Sequence, residues 1–228
     1  MAEISHFLSG DSSSSPCTND CYLDPIRERL VFITPEETVY NNNASSFIER
    51  TVAADVGTLR ERFINYIPQN GYVLDFGCGS GRDTKCFLEA GFKVDAVDGS
   101  EELCIAASEY SGVKVRCKDF FELDAKEQYD GIWACASVLH VEKGRLSELF
   151  RIMADALKLG GIMYLSFKYG DFSGTREGRY FTDLTEKSFR ELLTRFEDLS
   201  VEEEWISEDV RPERTVRWLN EIVRKASG

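Results

Sequence analysis

The amino-acid sequence predicts an α/β fold in which one parallel sheet is covered by helices on both faces. Three observations carry this expectation. From Tyr72 onward, short apolar runs alternate with amphipathic helical stretches, the pattern of parallel strands joined by right-handed crossovers. The first run leads straight into a glycine-rich turn, Gly77-Cys78-Gly79-Ser80-Gly81, and then a helix. The 228 residues, 43% hydrophobic and 12% aromatic, can fill one principal domain with a sizeable core.

Residues 1–21 are rich in Ser, Asp and Asn and include the run Ser12–Ser15, so they read as a flexible leader without the apolar content to order alone. Residues 22–67 read as an N-terminal arm and helical cap. Leu23, Ile26, Leu30, Val31, Phe32 and Ile33 suit a short hairpin or arm. Thr34-Pro35-Glu36-Glu37 is a helix start, with a capping Thr, Pro at the first helical position and Glu completing a capping box. Val52, Val56, Leu59, Phe63 and Ile67 then recur at helical spacing, one buried face.

Residues 68–228 hold the main domain. Val73–Phe76, Phe92–Val97, Val113–Cys117, Gly131–Ala136 and Ile162–Phe167 are strand-like runs. Helices are expected around Asp83–Ala90, Ser100–Tyr110 and Lys143–Leu157; Leu146, Leu149, Phe150, Met153 and Leu157 line one face of the last, and Gly160-Gly161 breaks it. Residues 170–179, GDFSGTREGR, read as a polar loop, followed by a helix at Glu186–Phe196 and strands at Leu199–Ile206 and Val216–Val223.

Composition narrows the function. Lys and Arg number 27 against 40 Asp and Glu, a formal net charge of −13, and such a field repels a phosphate backbone. Nucleic acid is a poor partner. No apolar run approaches the roughly 18 to 20 residues that span a bilayer, and the N-terminus lacks a secretory signal. A cytoplasmic protein without a membrane partner is expected. The seven cysteines lack a repeated C-x-x-C spacing, and Cys17 and Cys21 have no second ligand pair nearby, so reduced thiols and no metal site are expected.

The glycine turn carries the chemistry. Alternating glycines at 77, 79 and 81 let the backbone turn tightly and approach a ligand. A dinucleotide turn would read G-x-G-x-x-G; here the spacing is G-x-G-x-G and the strand carries an acid, Asp75, which disfavours pyrophosphate and favours a cationic group. Twenty-one residues beyond Gly77, Asp98 ends the second strand before Gly99 and Ser100, placed to accept hydrogen bonds from ribose hydroxyls. Asp119 offers a carboxylate to an exocyclic adenine amine, and Phe120 offers a ring to the purine face, although both also suit ordinary surface and core roles. These parts describe an adenosine with an amino-acid-like, positively charged tail, as in S-adenosyl-L-methionine.

LDFGCGSGRD, VDAVDGS, DFFELD, YDGIWACASVLHV and LKLGGIMYLSFK resemble the successive motifs of the class I S-adenosylmethionine-dependent methyltransferases. Within that class the chain looks most like the tellurite-resistance-type and ubiquinone-biosynthesis-type small-molecule enzymes. The resemblance implies a Rossmann-like seven-stranded sheet in the order 3-2-1-4-5-7-6 with strand 7 antiparallel. It also implies a helical cap whose Tyr40, in Tyr40-x-x-x-Ala44, covers the cofactor, and S-adenosyl-L-homocysteine as product. The cofactor-binding set is then Tyr40, Asp75, Gly77, Cys78, Gly79, Asp98, Gly99, Ser100, Asp119, Phe120, Ala134 and Cys135.

The acceptor side lies beyond the fourth and fifth strands, where ligands gather at carboxyl ends. Cys135-Ala136-Ser137-Val138 lacks the Asn/Asp/Ser-Pro-Pro-aromatic pattern of base-amine methyltransferases. His140 is a candidate general base, with a hydrogen-bonded structural histidine as the alternative. Lys168, Tyr169, Arg176, Arg179 and Tyr180 are candidates for a lid that selects an anionic or planar small-molecule acceptor. That acceptor is a soft sulfur, selenium or tellurium nucleophile, or an oxygen or nitrogen served by a base. Two other functions fit the same motifs: an RNA-modifying methyltransferase, which would need a basic groove, and a cofactor-binding partner module without turnover.

Overall fold

In the computed structural model, residues 21–24, 29–32, 51–52, 54–211 and 214–227 are described. Tyr40 and the Thr34 helix start lie outside them. The chain divides into two compact units between Thr34 and Pro35. In the first, β1 (Cys21–Asp24) pairs antiparallel with β2 (Arg29–Phe32), Leu23 opposite Leu30.

The second unit contains, in chain order, α1 (Gly57–Ile64), β3 (Tyr72–Phe76), α2 (Arg82–Glu89), β4 (Lys93–Asp98), α3 (Glu101–Ser111), β5 (Arg116–Cys117), β6 (Tyr129–Ala134), α4 (Leu146–Ala156) and β7 (Leu157–Lys168). It closes with β8 (Ser173–Arg176), β9 (Arg179–Thr182), α5 (Glu186–Leu193), β10 (Leu199–Glu208) and β11 (Arg217–Lys225). The sheet order is β10-β11-β7-β6-β3-β4-β5. Counting only its seven strands, this is 3-2-1-4-5-7-6. All neighbours from β7 to β5 are parallel, and β11 is antiparallel to both β7 and β10, as the family resemblance implies.

Strand alternation sorts the core onto two faces. Leu74, Phe76, Ile132, Ala134, Met163, Leu165 and Phe167 point to one face, where Leu149, Phe150 and Met153 of α4 and Phe189 of α5 cover them. Val73, Trp133, Ile162 and Tyr164 point to the other, beneath Val56, Phe63 and Ile67 from the α1 region and Phe87 of α2. The Trp133 and Tyr164 rings stack at 4.1 Å. Each such large side chain contributes about 1.5–3 kcal/mol by leaving water.

Four local readings change. Residues 170–179 are no open loop: β8 and β9 form a hairpin in which Thr175 faces Tyr180 and Gly174 faces Phe181. Its two-residue turn, Glu177-Gly178, has φ of 50° and 77°, the left-handed pair that matches strand twist. β5 shrinks to two residues because it is an edge strand that pairs only through Arg116 and Cys117. Gly160-Gly161 do not end a helix but form an irregularity inside β7, where Gly160 has φ 75° and the register against β6 shifts. β6 starts two residues early, since buried Tyr129 donates its hydroxyl to Asp95 at 2.7 Å and Asp130 accepts from the Tyr72 amide at 2.7 Å.

One buried carboxylate ties the cap region to the sheet. Asp83, at the start of α2, accepts from Arg60 Nη1 (2.6 Å), Arg82 Nε (3.0 Å), Arg82 Nη2 (2.7 Å) and Trp133 Nε1 (3.0 Å). Arg82 Nη1 also donates to the carbonyls of Thr51 (2.9 Å) and Ala54 (3.0 Å). Burial raises the Asp83 pKa, but the Arg82 and Arg60 guanidinium groups outweigh it and hold the carboxyl below its usual value.

Asp83→Ala strands two guanidinium groups beside the core, and a loss of about 3–5 kcal/mol is expected in urea unfolding; a change under 1 kcal/mol would remove the tie from the fold's support. Glu221 is fully buried in β11, and burial with neighbouring Glu204 pushes its pKa up to about 9. Between the ordinary carboxyl value and about 9 the unfolded chain has lost a proton that the folded chain keeps, so stability falls as pH rises. Glu221→Gln should flatten that decline and stabilise the fold at pH 7 by on the order of 3 kcal/mol, checked by urea midpoints at pH 5 and pH 8.

Candidate active site

The site is built where β3 ends. Gly77, Gly79 and Gly81 all have positive φ, at 83°, 55° and 76°, a path that L side chains resist. The Gly77 and Cys78 amides donate to the Val97 carbonyl at 2.9 and 3.0 Å, folding the turn across the end of β4. A Cβ on Gly77 would lie 2.4 Å from Ser137 Cβ and 3.2 Å from the Phe120 ring, so this position brings the loops after β6 and β5 against the turn. β3 has β6 on one side and β4 on the other, which makes this the point where strand order reverses and where α/β sheets open a crevice.

Asp98 closes one side of the crevice. It is buried, and its two oxygens accept from the Gly79 amide at 2.8 Å and the Ser100 amide at 3.0 Å. Burial raises its pKa against the backbone hydrogen bonds around it, including that from Gly99. Each carboxylate oxygen retains a further lone-pair direction for a ligand hydroxyl. Ser100 also caps α3 by accepting from the Leu103 amide. Cys78 is buried behind the turn, its thiol pushed well up by burial, and only its backbone faces the turn's hydrogen bonds.

Asp75 is buried below the turn and accepts from Thr84 Oγ1 at 2.6 Å. Burial, reinforced by Asp83, pushes its pKa up to about 7. Phe120 packs its ring on Phe76 at 4.6 Å and so joins the crevice wall. Asp119 is exposed and caps the short 3-10 turn Phe120–Glu122, accepting from the Phe121 amide at 2.8 Å. It stands on the rim. Phe121 turns aside, its ring covered by the Arg145 guanidinium at 3.5 Å.

The carboxyl end of β6 forms the opposite wall. Ala134 is buried and Cys135 half-buried, the Cys135 thiol pushed up to about 12 by burial and by Asp83. Ala136 adopts φ 52°, a strained backbone for a non-glycine residue, and its amide donates to Ser166 Oγ at 2.7 Å. Ser137 Oγ donates to the Phe76 carbonyl at 2.6 Å. The neighbouring strands are thereby joined at the crevice floor.

His140 follows in the 3-10 turn Val138–His140. Its Nδ1 lies 2.8 Å from the Tyr180 carbonyl, which requires the proton on Nδ1. Burial lowers the ring's pKa to about 4. The imidazole is neutral at physiological pH, and its edge packs against the Phe181 ring at 4.7 Å.

The other acceptor-side residues divide. Lys168 Nζ lies 3.8 Å from the Phe181 ring centre, with the Arg179 and Arg176 guanidinium groups at 5.3 and 5.7 Å. Arg176 also pairs with Asp183 through two contacts of 2.7 and 3.2 Å. Tyr169 instead turns toward β11, under Arg217 at 4.5 Å. Tyr180 contributes its carbonyl to His140, while its hydroxyl pairs across the hairpin with Ser173 at 2.9 Å. Phe181, which the sequence places in the same lid segment, is the ring on which these cations meet; the residues that motif spacing did not disclose are Arg82, Asp83 and Ser137. Only the charged pair Arg82-Asp83, directly after the glycines, left a mark in the sequence. Among the described residues no group of three or more His, Cys, Asp or Glu is arranged to hold a metal ion, and no helix is long and apolar enough to cross a membrane.

Comparison with known proteins converges on this geometry. A family model described as "Methyltransferase domain" matches residues 73–161, which span the turn, Asp98, Phe120 and the β6 wall. An uncharacterized methyltransferase of Staphylococcus carnosus is 27% identical over 166 residues, 66% of this chain and 80% of that protein. The 1,6-didemethyltoxoflavin-N1-methyltransferase of Burkholderia thailandensis, solved with 1,6-didemethyltoxoflavin and S-adenosylhomocysteine, overlays with a TM-score of 0.67 at 24% identity, covering 90% of this chain and 98% of its own. A TehB-like S-adenosylmethionine-dependent methyltransferase of Corynebacterium glutamicum overlays at 0.65 and 18% identity, covering 82% and 99%. The matched domain and the curated relative make this chain similar to methyltransferases, and the sheet order and the solved neighbours give it the fold of the S-adenosylmethionine-dependent methyltransferases.

Proposed function

We propose that the chain holds S-adenosyl-L-methionine across the turn between β3 and β4 and moves its methyl group to a small-molecule acceptor, with S-adenosyl-L-homocysteine as product. The carrying observation is Asp98, a buried carboxylate fastened to the Gly79 and Ser100 amides beside a glycine turn that tolerates no Cβ at 77. That pairing suits a ribose, and the ring of Phe120 suits a purine. Asp75 and Asp98 are buried acids at the turn that no cation pairs among the described residues, and this supports a cationic ligand over a diphosphate. The Burkholderia neighbour, solved with 1,6-didemethyltoxoflavin, supports a small molecule as the acceptor.

When bound, the sulfonium supplies an already activated methyl group. The protein's own work is alignment and exclusion of water. Asp75, ionised, is the partner for the ligand's ammonium, and the β6 wall from Ala134 to Ser137 limits the space beside the turn. His140 is the candidate base that takes the proton of an acceptor N–H or O–H during transfer to nitrogen or oxygen. With a pKa near 4 it is a weak base, which favours acceptors that are acidic or already ionised. A soft nucleophile would not use it.

Calorimetry tests the cofactor directly: S-adenosylhomocysteine should give a saturable heat and NADH none. Asp98→Ala should weaken binding by about 1–3 kcal/mol; unchanged affinity would take Asp98 out of the site. Because a cation favours the ionised form of a group titrating near 7, cofactor binding at pH 6.5 should release a proton, seen as a buffer-dependent heat that Asp75→Asn abolishes. With an oxygen or nitrogen acceptor, His140→Ala should slow turnover roughly 100-fold. The wild-type rate should fall only as pH drops toward 4, where the imidazole charges; an intact rate in the variant rejects the base role.

A further inference from the structure

Around Phe181 the charge of the molecule reverses. The chain as a whole carries −13, and acids surround the glycine turn, yet Lys168, Arg179 and Arg176 converge on one phenyl ring. Phe181 itself is only 4% exposed, so this ring is a buried platform and not a surface patch. Arg176 is matched by Asp183. Lys168 is not: among the described residues its ammonium has no ion-pair partner, and its contact is the ring face.

That ammonium is half-buried at the carboxyl end of β7. Burial lowers its pKa, and Arg176, Arg179 and Arg214 push the same way against Asp183. A cation in such a place is costly unless an anion meets it. Position supplies the reason for tolerating the cost. β7 is the second strand from β3, so Lys168 stands about 10 Å across the sheet from the glycine turn. It shares the Phe181 ring with His140, and Ser137, in the same loop as His140, touches Gly77. The ring, the ammonium and the imidazole therefore form the acceptor's side of the crevice.

We propose that the methyl acceptor carries an anionic oxygen group, a carboxylate or an ionised hydroxyl, that Lys168 holds above the Phe181 ring. The proposal rests on the methyltransferase reading of this site. Lys168 is an acceptor-binding and specificity-determining residue: it fixes one end of the acceptor while the reacting atom reaches toward His140. Arg179 and Arg176 add field to the same spot.

The test compares benzoate with benzamide, its neutral counterpart of nearly equal shape, by NMR titration of the full chain with and without S-adenosylhomocysteine. Wild-type protein should bind benzoate at least 10-fold more tightly than benzamide. Lys168→Met, which keeps the apolar stem, should bring the two within 3-fold, and Lys168→Arg should restore the preference. S-adenosylhomocysteine binding, measured in the same proteins, separates the two readings. If wild type binds it and shows no benzoate preference, or if Lys168→Met keeps the preference, the anionic-acceptor proposal fails alone. If wild type does not bind it, the cofactor reading fails and the proposal is overturned as an acceptor site, whatever benzoate does.

Discussion

The Asp83 carboxylate is the constraint on which the site's geometry depends. It receives four N–H groups from three residues that belong to different parts of the domain: Arg60 in α1, Arg82 at the start of α2 and Trp133 in β6. Arg82 in turn reaches back to the carbonyls of Thr51 and Ala54. Buried ionic groups add little net stability when compared with apolar packing, but removing one partner is expensive. The network therefore acts less as glue than as a register device. It fixes where the segment before the sheet meets the first residues after the glycine turn. It also sets the electrostatics next door, because Asp83 is the second cause, after burial, that holds Asp75 near neutrality.

Above that constraint the crevice is assembled from backbone. The turn has left-handed residues at 77, 79 and 81, and the opposing wall has one at Ala136. Such strain persists only where surrounding contacts over-determine it. Here Ser166 holds the Ala136 amide and Ser137 holds the Phe76 carbonyl, so two small hydroxyl side chains stitch β6 to its neighbours. The result is a rigid floor with acids on one side and, around Phe181, cations on the other. A ligand that is positive at one end of the crevice and a ligand that is negative at the other would be drawn to separate places and brought together at the middle.

The fold and the turn were legible because period and punctuation are local. Val73–Phe76 and the glycines announce a strand and its exit, and the separation of Asp98 from Gly77 follows from one crossover unit. The whole sheet order matched the family resemblance. The β8–β9 hairpin was not legible, since Glu177-Gly178 lacks the Asn-Gly or Asp-Gly signature and the flanking residues do not alternate cleanly. Asp83 was missed for a different reason. Its importance lies in contacts across 23 and 50 residues of chain, and no spacing rule records which distant partner a charge will meet. The environment of His140 was likewise invisible: the sequence offered an imidazole of ordinary basicity, while burial makes it a much weaker one.

The partner of His140 is a main-chain oxygen, the Tyr180 carbonyl. Peptide carbonyls are common to every residue type, so the choice of tautomer is insulated from mutational drift at position 180. A lineage can therefore exchange the hairpin's outward side chains and retune which molecules are admitted, while the proton inventory of the imidazole is inherited unchanged. The hairpin's side chains and its main chain thus set different properties of the same region.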